Sequence, residues 1–180
     1  MARPIAACAG VHILYLLMGP SLHCASRAAT FSEAQVHTYV PPFHSLSPNQ
    51  KAHVLDGDFS IEREIDRLPD SLKIAFSALS GQRDFKMANP GEKYQATDAI
   101  VESGLPFRRL LFAGISKDKY FIHYEMGGLG HSVHLAVFEV DPDKKVKFLW
   151  GGPGPRAKDL NQLRSMVAAG AFADDRPYYW

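Results

Sequence analysis

Cysteine is almost missing from this chain. The only two cysteines, Cys8 and Cys24, lie in an N-terminal stretch that has the pattern of a leader. The remainder can therefore form no disulfide framework, thiol nucleophile or cysteine metal site. We expect the domain that follows to be held together by its hydrophobic core alone.

The chain also lacks an apolar run long enough to cross a bilayer. The N-terminal run Ile5–Met18 has 14 residues, whereas a spanning helix needs about 20. A charged start precedes this run, and a Gly-Pro break and small residues follow it, which is the order found in secretory signal peptides. We predict that residues 1–28 are a signal peptide and that the mature protein is exported, to the periplasm or the cell exterior, without a stable membrane span.

The predicted cleavage follows Ala28, because Ser26 and Ala28 provide the small residues that such a site requires. A lipoprotein anchor at Cys24 is the alternative. His23, directly before this cysteine, is bulkier than the small residue usual at that position, so we favour the signal peptide.

Neither sign of charge is in excess. The chain has 20 Lys and Arg against 19 Asp and Glu, and loss of the leader removes Arg3 and Arg27, which leaves a net charge of −1. Binding to nucleic acid or to an anionic membrane depends mainly on a basic surface. The composition therefore predicts no nucleic-acid partner.

No motif in the sequence identifies a catalytic reaction. The stretch Gly130–His134 resembles a nucleophile elbow, but its last position is histidine instead of glycine, and a strand is predicted to follow where the elbow needs a helix. The glycines of Gly127–Gly130 are not followed by the Lys-Ser/Thr pair of a phosphate-binding loop. Both stretches are explained by a hairpin turn.

What the sequence does contain is a series of short runs rich in β-branched and aromatic residues, bounded by Gly, Pro or Asp. They predict strands at residues 109–115, 120–126, 133–140 and 146–150. The connections are too short for parallel crossovers. We therefore predict an α+β fold in which an antiparallel four-stranded meander packs against helices, as a single domain behind the signal peptide.

The predicted domain spans residues 58–180, after an irregular or flexible N-terminal arm at residues 29–57 that is rich in Pro, Ser and His. Apolar periodicity predicts helices over residues 59–68, 71–80 and 158–169, although residues 59–65 also suit an edge strand. Both faces of the predicted sheet are apolar, so we expect both to be covered. The terminal Trp180 is expected to dock on the core.

The sharpest cluster of reactive side chains is His123, Glu125 and His134. If Met126 lies opposite His131, then His123 and His134 are directly opposed on the sheet, with Cβ atoms about 5 Å apart. Two imidazoles and a carboxylate are a common catalytic zinc set with one position open for water. A metal site at these residues is therefore one hypothesis, and a pair of structural histidines is the other.

A second candidate site is apolar. The same register places Phe121, Phe138, Phe148 and Trp150 on one face, where they could line a ligand pocket or simply form the core. Arg108 and Arg109 could contact a carboxylate or phosphate, but neighbouring residues of a strand point to opposite faces, so a solvated pair is expected.

Two functional hypotheses follow. The first is a non-catalytic exported binding or interaction module for a small apolar ligand or another protein. The alternative is a metal-dependent hydrolase or metal-binding protein that uses His123, Glu125 and His134. The missing catalytic motifs and the near-zero charge favour the first.

Overall fold

The structure is a computed structural model that describes residues 44–99 and 102–175. The predicted signal peptide, the first part of the predicted arm and the terminal aromatic residues, including Trp180, lie outside the described residues. Within them the chain forms three α-helices, a five-stranded antiparallel sheet and a two-stranded sheet. The predicted α+β class is confirmed.

The large sheet has five strands in sequence order, each antiparallel to its neighbours, instead of the four expected. The strands are β2 (Ser60–Glu62), β3 (Arg108–Ile115), β4 (Lys119–Met126), β5 (Ser132–Val140) and β6 (Val146–Pro153). The small sheet pairs β1 (His44–Ser45) with β7 (Ala173–Asp174).

The additional edge strand corrects one predicted helix. Residues 60–62 pair with β3, where Ile61 lies opposite Gly114, and only a short 3-10 turn, Ile65–Arg67, follows. A helix over residues 59–68 was therefore wrong, and the edge-strand alternative is what forms. The four apolar residues of this segment, Phe59, Ile61, Ile65 and Leu68, are too few to stabilise a helix against pairing with an open sheet edge.

A helix also forms where an irregular arm was predicted. Helix α1 covers Pro48–Leu55, and the Ser47 side chain caps it together with Gln50 in a reciprocal capping box. Pro48 stands in the first turn, where its missing N–H costs nothing. The buried side chain of Val54 joins the hydrophobic core, so the folded region begins before the predicted boundary at residue 58.

The other two helices agree with their predictions. Helix α2 covers Asp70–Leu79 and is followed by Gly81 at a φ of 64°, a left-handed conformation that glycine adopts without strain. Helix α3 covers Leu160–Ala168 and is capped by Asp159, whose side chain accepts a hydrogen bond from the Gln162 N–H. No helix among the described residues is long and apolar enough to cross a bilayer.

Both faces of the large sheet are buried, as the apolar residues on both sides of the predicted strands indicated. One cluster, which we call the α1/α3 face, joins β4 and β5 side chains such as Phe121 and Leu135 to Val54 and Leu163. The other, the α2 face, joins Ile122 and Phe138 to the helix α2 side chains Leu72 and Phe76. A sheet covered on both sides explains why no strand shows a clean apolar-polar alternation.

Close packing of β6 against β7 leads to a stability prediction. A methyl group added at Gly152 would overlap the carbonyl oxygen of Ala173, whereas one added at Gly130 meets nothing within 4 Å. We expect Gly152→Ala to lower the free energy of unfolding by about 1–3 kcal/mol and Gly130→Ala to leave it nearly unchanged. Urea unfolding of the two variants checks this; equal stabilities would contradict it.

Candidate functional site

The register of the β4–β5 hairpin differs by one residue from the one predicted. Met126 lies opposite Ser132, so Leu135 faces His123 and His134 faces Tyr124. A shift of one residue moves a side chain to the other side of the sheet. His123 and Glu125 therefore lie on the α1/α3 face, while His134 lies on the α2 face.

His123 is fully buried and both of its ring nitrogens are occupied. The Nδ1 atom lies 2.9 Å from the carbonyl oxygen of His134, and Nε2 lies 3.0 Å from the backbone nitrogen of Ala157. Since a carbonyl only accepts and an N–H only donates, the ring is neutral with its proton on Nδ1. Burial lowers the pKa of His123 from 6.5 to about 4.

His134 is also buried, on the opposite face. Its Nε2 atom lies 2.7 Å from the Ser132 hydroxyl, and its ring stacks on Tyr124 with centroids 5.2 Å apart. Burial, followed by the nearby positive charge of Arg108, lowers the pKa of this histidine to about 4. The structure therefore does not bring His123, Glu125 and His134 together. Residues 44–99 and 102–175 contain no group of three His, Cys, Asp or Glu side chains able to share a metal ion.

The four aromatic residues predicted to line one pocket are also divided between the two faces. Phe121 and Trp150 belong to the α1/α3 face, while Phe138 and Phe148 pack edge to face on the α2 face, 5.8 Å apart. The Trp150 indole donates a hydrogen bond to the Gln50 carbonyl. The shifted β4–β5 register separates Phe121 from Phe138, and an irregularity in the β5–β6 pairing, where Val137 lies opposite Trp150, separates Trp150 from Phe148. These side chains contribute to the core.

The polar group that the structure does assemble is centred on Glu125, whose side chain is 1% exposed. One carboxylate oxygen accepts hydrogen bonds from Arg109, at 2.8 Å from Nε and 2.5 Å from Nη2. The other oxygen contacts the Arg156 guanidinium and lies 3.6 Å from His131 Nε2. A buried carboxylate needs such partners, because the loss of hydration would otherwise be costly.

Arg109 is held from several sides. Its guanidinium stacks over Tyr94, 4.3 Å from the ring centroid, and donates to the Glu92 carbonyl at 3.3 Å. Arg108 points to the other face, as predicted, and lies buried over the Phe76 ring. The expected solvated arginine pair was therefore wrong, since both side chains are packed.

A β-bulge in β3 places a third arginine, Arg63, beside Arg109 and Arg156. The pairing of Leu110 with Tyr124 is followed by that of Phe112 with His123, which leaves Leu111 without a partner on β4. The carbonyl of Leu111 accepts a hydrogen bond from Arg63 Nη1 at 3.2 Å. Bulged residues have carbonyl groups outside the regular ladder, and here that group holds a side chain from the segment after β2.

The three arginines meet at a cleft of about 320 Å³, which we call the arginine cleft. Arg63, Arg109, Arg156 and Lys158 line it together with apolar β3 residues that include Leu111 and Phe112, and no Asp or Glu is among its lining residues. Arg63 also donates to the Lys158 carbonyl at 3.1 Å. The cleft is therefore a concave surface with a concentration of positive charge on a chain of almost zero net charge.

No protein family, curated protein or solved structure matches this chain.

The strand pattern predicts the positions of Arg109 and Glu125 but not the ion pair between them. Nothing in the sequence pattern indicated a functional role for Arg63, Arg156 or Lys158. The last three lie in irregular segments, where spacing carries no information about proximity. A cationic partner for Glu125 could have been predicted, because an acidic residue within an otherwise buried strand requires one.

The lowered pKa values lead to a pH prediction. Both native histidines stay neutral down to about pH 4, whereas unfolded ones take up a proton near 6.5. Unfolding therefore takes up protons between these values, and stability falls as the pH is lowered through that window. For His123 the full shift corresponds to about 3 kcal/mol.

The measurement is urea unfolding at several pH values, with His123→Gln as the comparison. Glutamine can donate to the His134 carbonyl and accept from Ala157 without titrating. We expect this variant to take up close to one proton fewer on unfolding near pH 5. Identical pH slopes for the two proteins would contradict the prediction.

A second prediction concerns Glu125. Its replacement by Gln removes the counter-charge of Arg109, whose side chain is 23% exposed, and of Arg156, which is 59% exposed. Because water screens the charges that remain, we expect a loss of about 1–3 kcal/mol, the cost of leaving hydrogen-bonding groups of this kind without a partner. Glu139→Gln, on an exposed position of the neighbouring strand β5, is the matched control and should change stability by less than about 0.5 kcal/mol. Thermal unfolding that shows equal losses for both variants would be inconsistent with this role.

Proposed function

We propose that this protein is an exported, non-catalytic binding module that holds a small anionic ligand, a carboxylate or a phosphate, in the arginine cleft. The observation that carries the proposal is the lining of the cleft, which contains four cationic side chains and no acid. The leader pattern at residues 1–28 supports export.

The chemistry of the lining favours oxyanions. A guanidinium presents several N–H donors in a rigid plane that matches carboxylate and phosphate groups, and such charge-assisted hydrogen bonds are about twice as strong as neutral ones. Arg63 and Arg109 are already held by carbonyl, carboxylate and aromatic partners. Less side-chain entropy is then lost when a ligand binds.

Anionic ligands replace the apolar ligand expected from the sequence, because the aromatic side chains on which that expectation depended are core residues. The metal-dependent hydrolase loses its geometric basis, since His123 and His134 lie on opposite faces and the ring nitrogens of His123 have backbone partners. A protein partner remains a prediction from the sequence.

The test is a titration of the purified protein with inorganic phosphate and with succinate at constant ionic strength, followed by amide NMR. We expect shifts to concentrate at Gly91, Ala157 and Lys158, which line the cleft. Arg156→Gln should weaken binding by about tenfold or more, the effect of one charge-assisted hydrogen bond.

The matched control is Arg67→Gln. Arg67 is likewise an exposed arginine paired with a glutamate, Glu64, but it lies outside the cleft lining. Its replacement should leave the affinity unchanged. Shifts spread over the whole surface, or equal effects of the two substitutions, would overturn the proposal.

A further inference from the structure

We infer that the arginine cleft takes a doubly charged anion and that Arg63 is the residue that sets this specificity. This inference rests on the proposed function and adds to it the charge of the ligand and the end of the cleft at which its negative charge is held. The basis is an uneven distribution of counter-charge among the four cations.

The four cations form two pairs. Arg109 and Arg156 both contact the carboxylate of Glu125, so their two charges share one internal anion. Arg63 and Lys158 form the other pair, joined by the bond from Arg63 to the Lys158 carbonyl. Among the residues that the structure describes, neither of these two has an ion pair with an acid.

The arginine cleft carries more positive than negative charge. Four cations and one internal carboxylate leave an excess of three positive charges around the cleft. A monoanion neutralises only one of them, whereas a dianion neutralises two and gains from every cation it approaches. Because the cleft is concave and partly lined by apolar side chains, these interactions are screened less than on an open surface.

Arg63 is the cation best prepared for this role. Two carbonyl oxygens, from Leu111 and Lys158, fix its guanidinium, which also lies over the Phe112 ring at 5.4 Å from the centroid. Its bonds all go to neutral groups, so its positive charge remains available to a ligand. Arg109 and Arg156, by contrast, can bind a ligand only in competition with Glu125.

The size of the cleft agrees with a small dianion. About 320 Å³ lies at the lower end of the range for ligand pockets, which is about 300–1,000 Å³. This space suits a short dicarboxylate or the phosphate group of a small monoester. In both, the negative charge is close to two at about pH 8, since the second pKa of a phosphate ester is about 6.

The experiment compares succinate, inorganic phosphate and acetate by calorimetry and amide NMR with the full chain, at about pH 8 and constant ionic strength. We expect at least one dianion to bind about tenfold or more tightly than acetate, and Arg63→Gln to remove most of that preference. Tighter binding of phosphate identifies a phosphate group as the ligand chemistry, and tighter binding of succinate a dicarboxylate; either result supports the inference.

Arg164→Gln is the matched control, because Arg164 also donates to two backbone carbonyls, those of Val54 and Gly57, but lies outside the cleft lining. Its replacement should preserve the preference for dianions. Arg63→Lys keeps the positive charge but loses the planar guanidinium, so it should retain part of the preference for dianions. Partial retention in this variant would show that the loss in Arg63→Gln comes from the missing charge and not from misfolding.

The inference and the proposed function fail in different ways. Acetate binding as tightly as the dianions, or a dianion preference that survives in folded Arg63→Gln, overturns the inference and leaves anion binding intact. Absence of localised shifts with all three anions overturns the proposed function itself.

Discussion

The buried carboxylate of Glu125 is the interaction on which the arrangement of the cleft depends. It lies on strand β4, and its two oxygens bind arginines from β3 and from the segment between β6 and α3. Breaking such a pair costs far more than the pair itself contributes, because a charge is then left buried alone. One acidic side chain therefore determines where two of the four cleft cations lie.

His123 completes this arrangement from the same strand and the same face. Its ring connects the backbone of His134, on β5, to that of Ala157. Arg156 and Lys158 flank Ala157 directly, so a neutral histidine in the core fixes the irregular segment that carries two of the cleft cations. The buried polar residues of this face hold a loop in place, where the sequence pattern had indicated a metal site.

The strand positions were predictable because β-branched and aromatic runs between turn residues have few alternatives. The register was not, since Gly127–Gly130 permits loops of different length and both faces are apolar, so that neither alignment leaves a polar residue in an obviously wrong place. Helix α1 was recognisable from Ser47, Pro48 and Gln50, a capping box with proline in the first turn. The cleft depends on contacts between distant irregular segments, which no spacing along the chain encodes.

The bulge at Leu111 holds a residue of the cleft in place but is not required for the pairing of β3 with β4. The residues on either side of it, Leu110 and Phe112, pair with consecutive residues of β4, Tyr124 and His123. A chain that lacked this one residue would therefore keep every other pair between the two strands, while losing the carbonyl that anchors Arg63 and one buried side chain of the α1/α3 face. Insertion or loss of a single codon is thus enough to add this anchor to the domain or to remove it, while the order and the pairing of the strands stay the same.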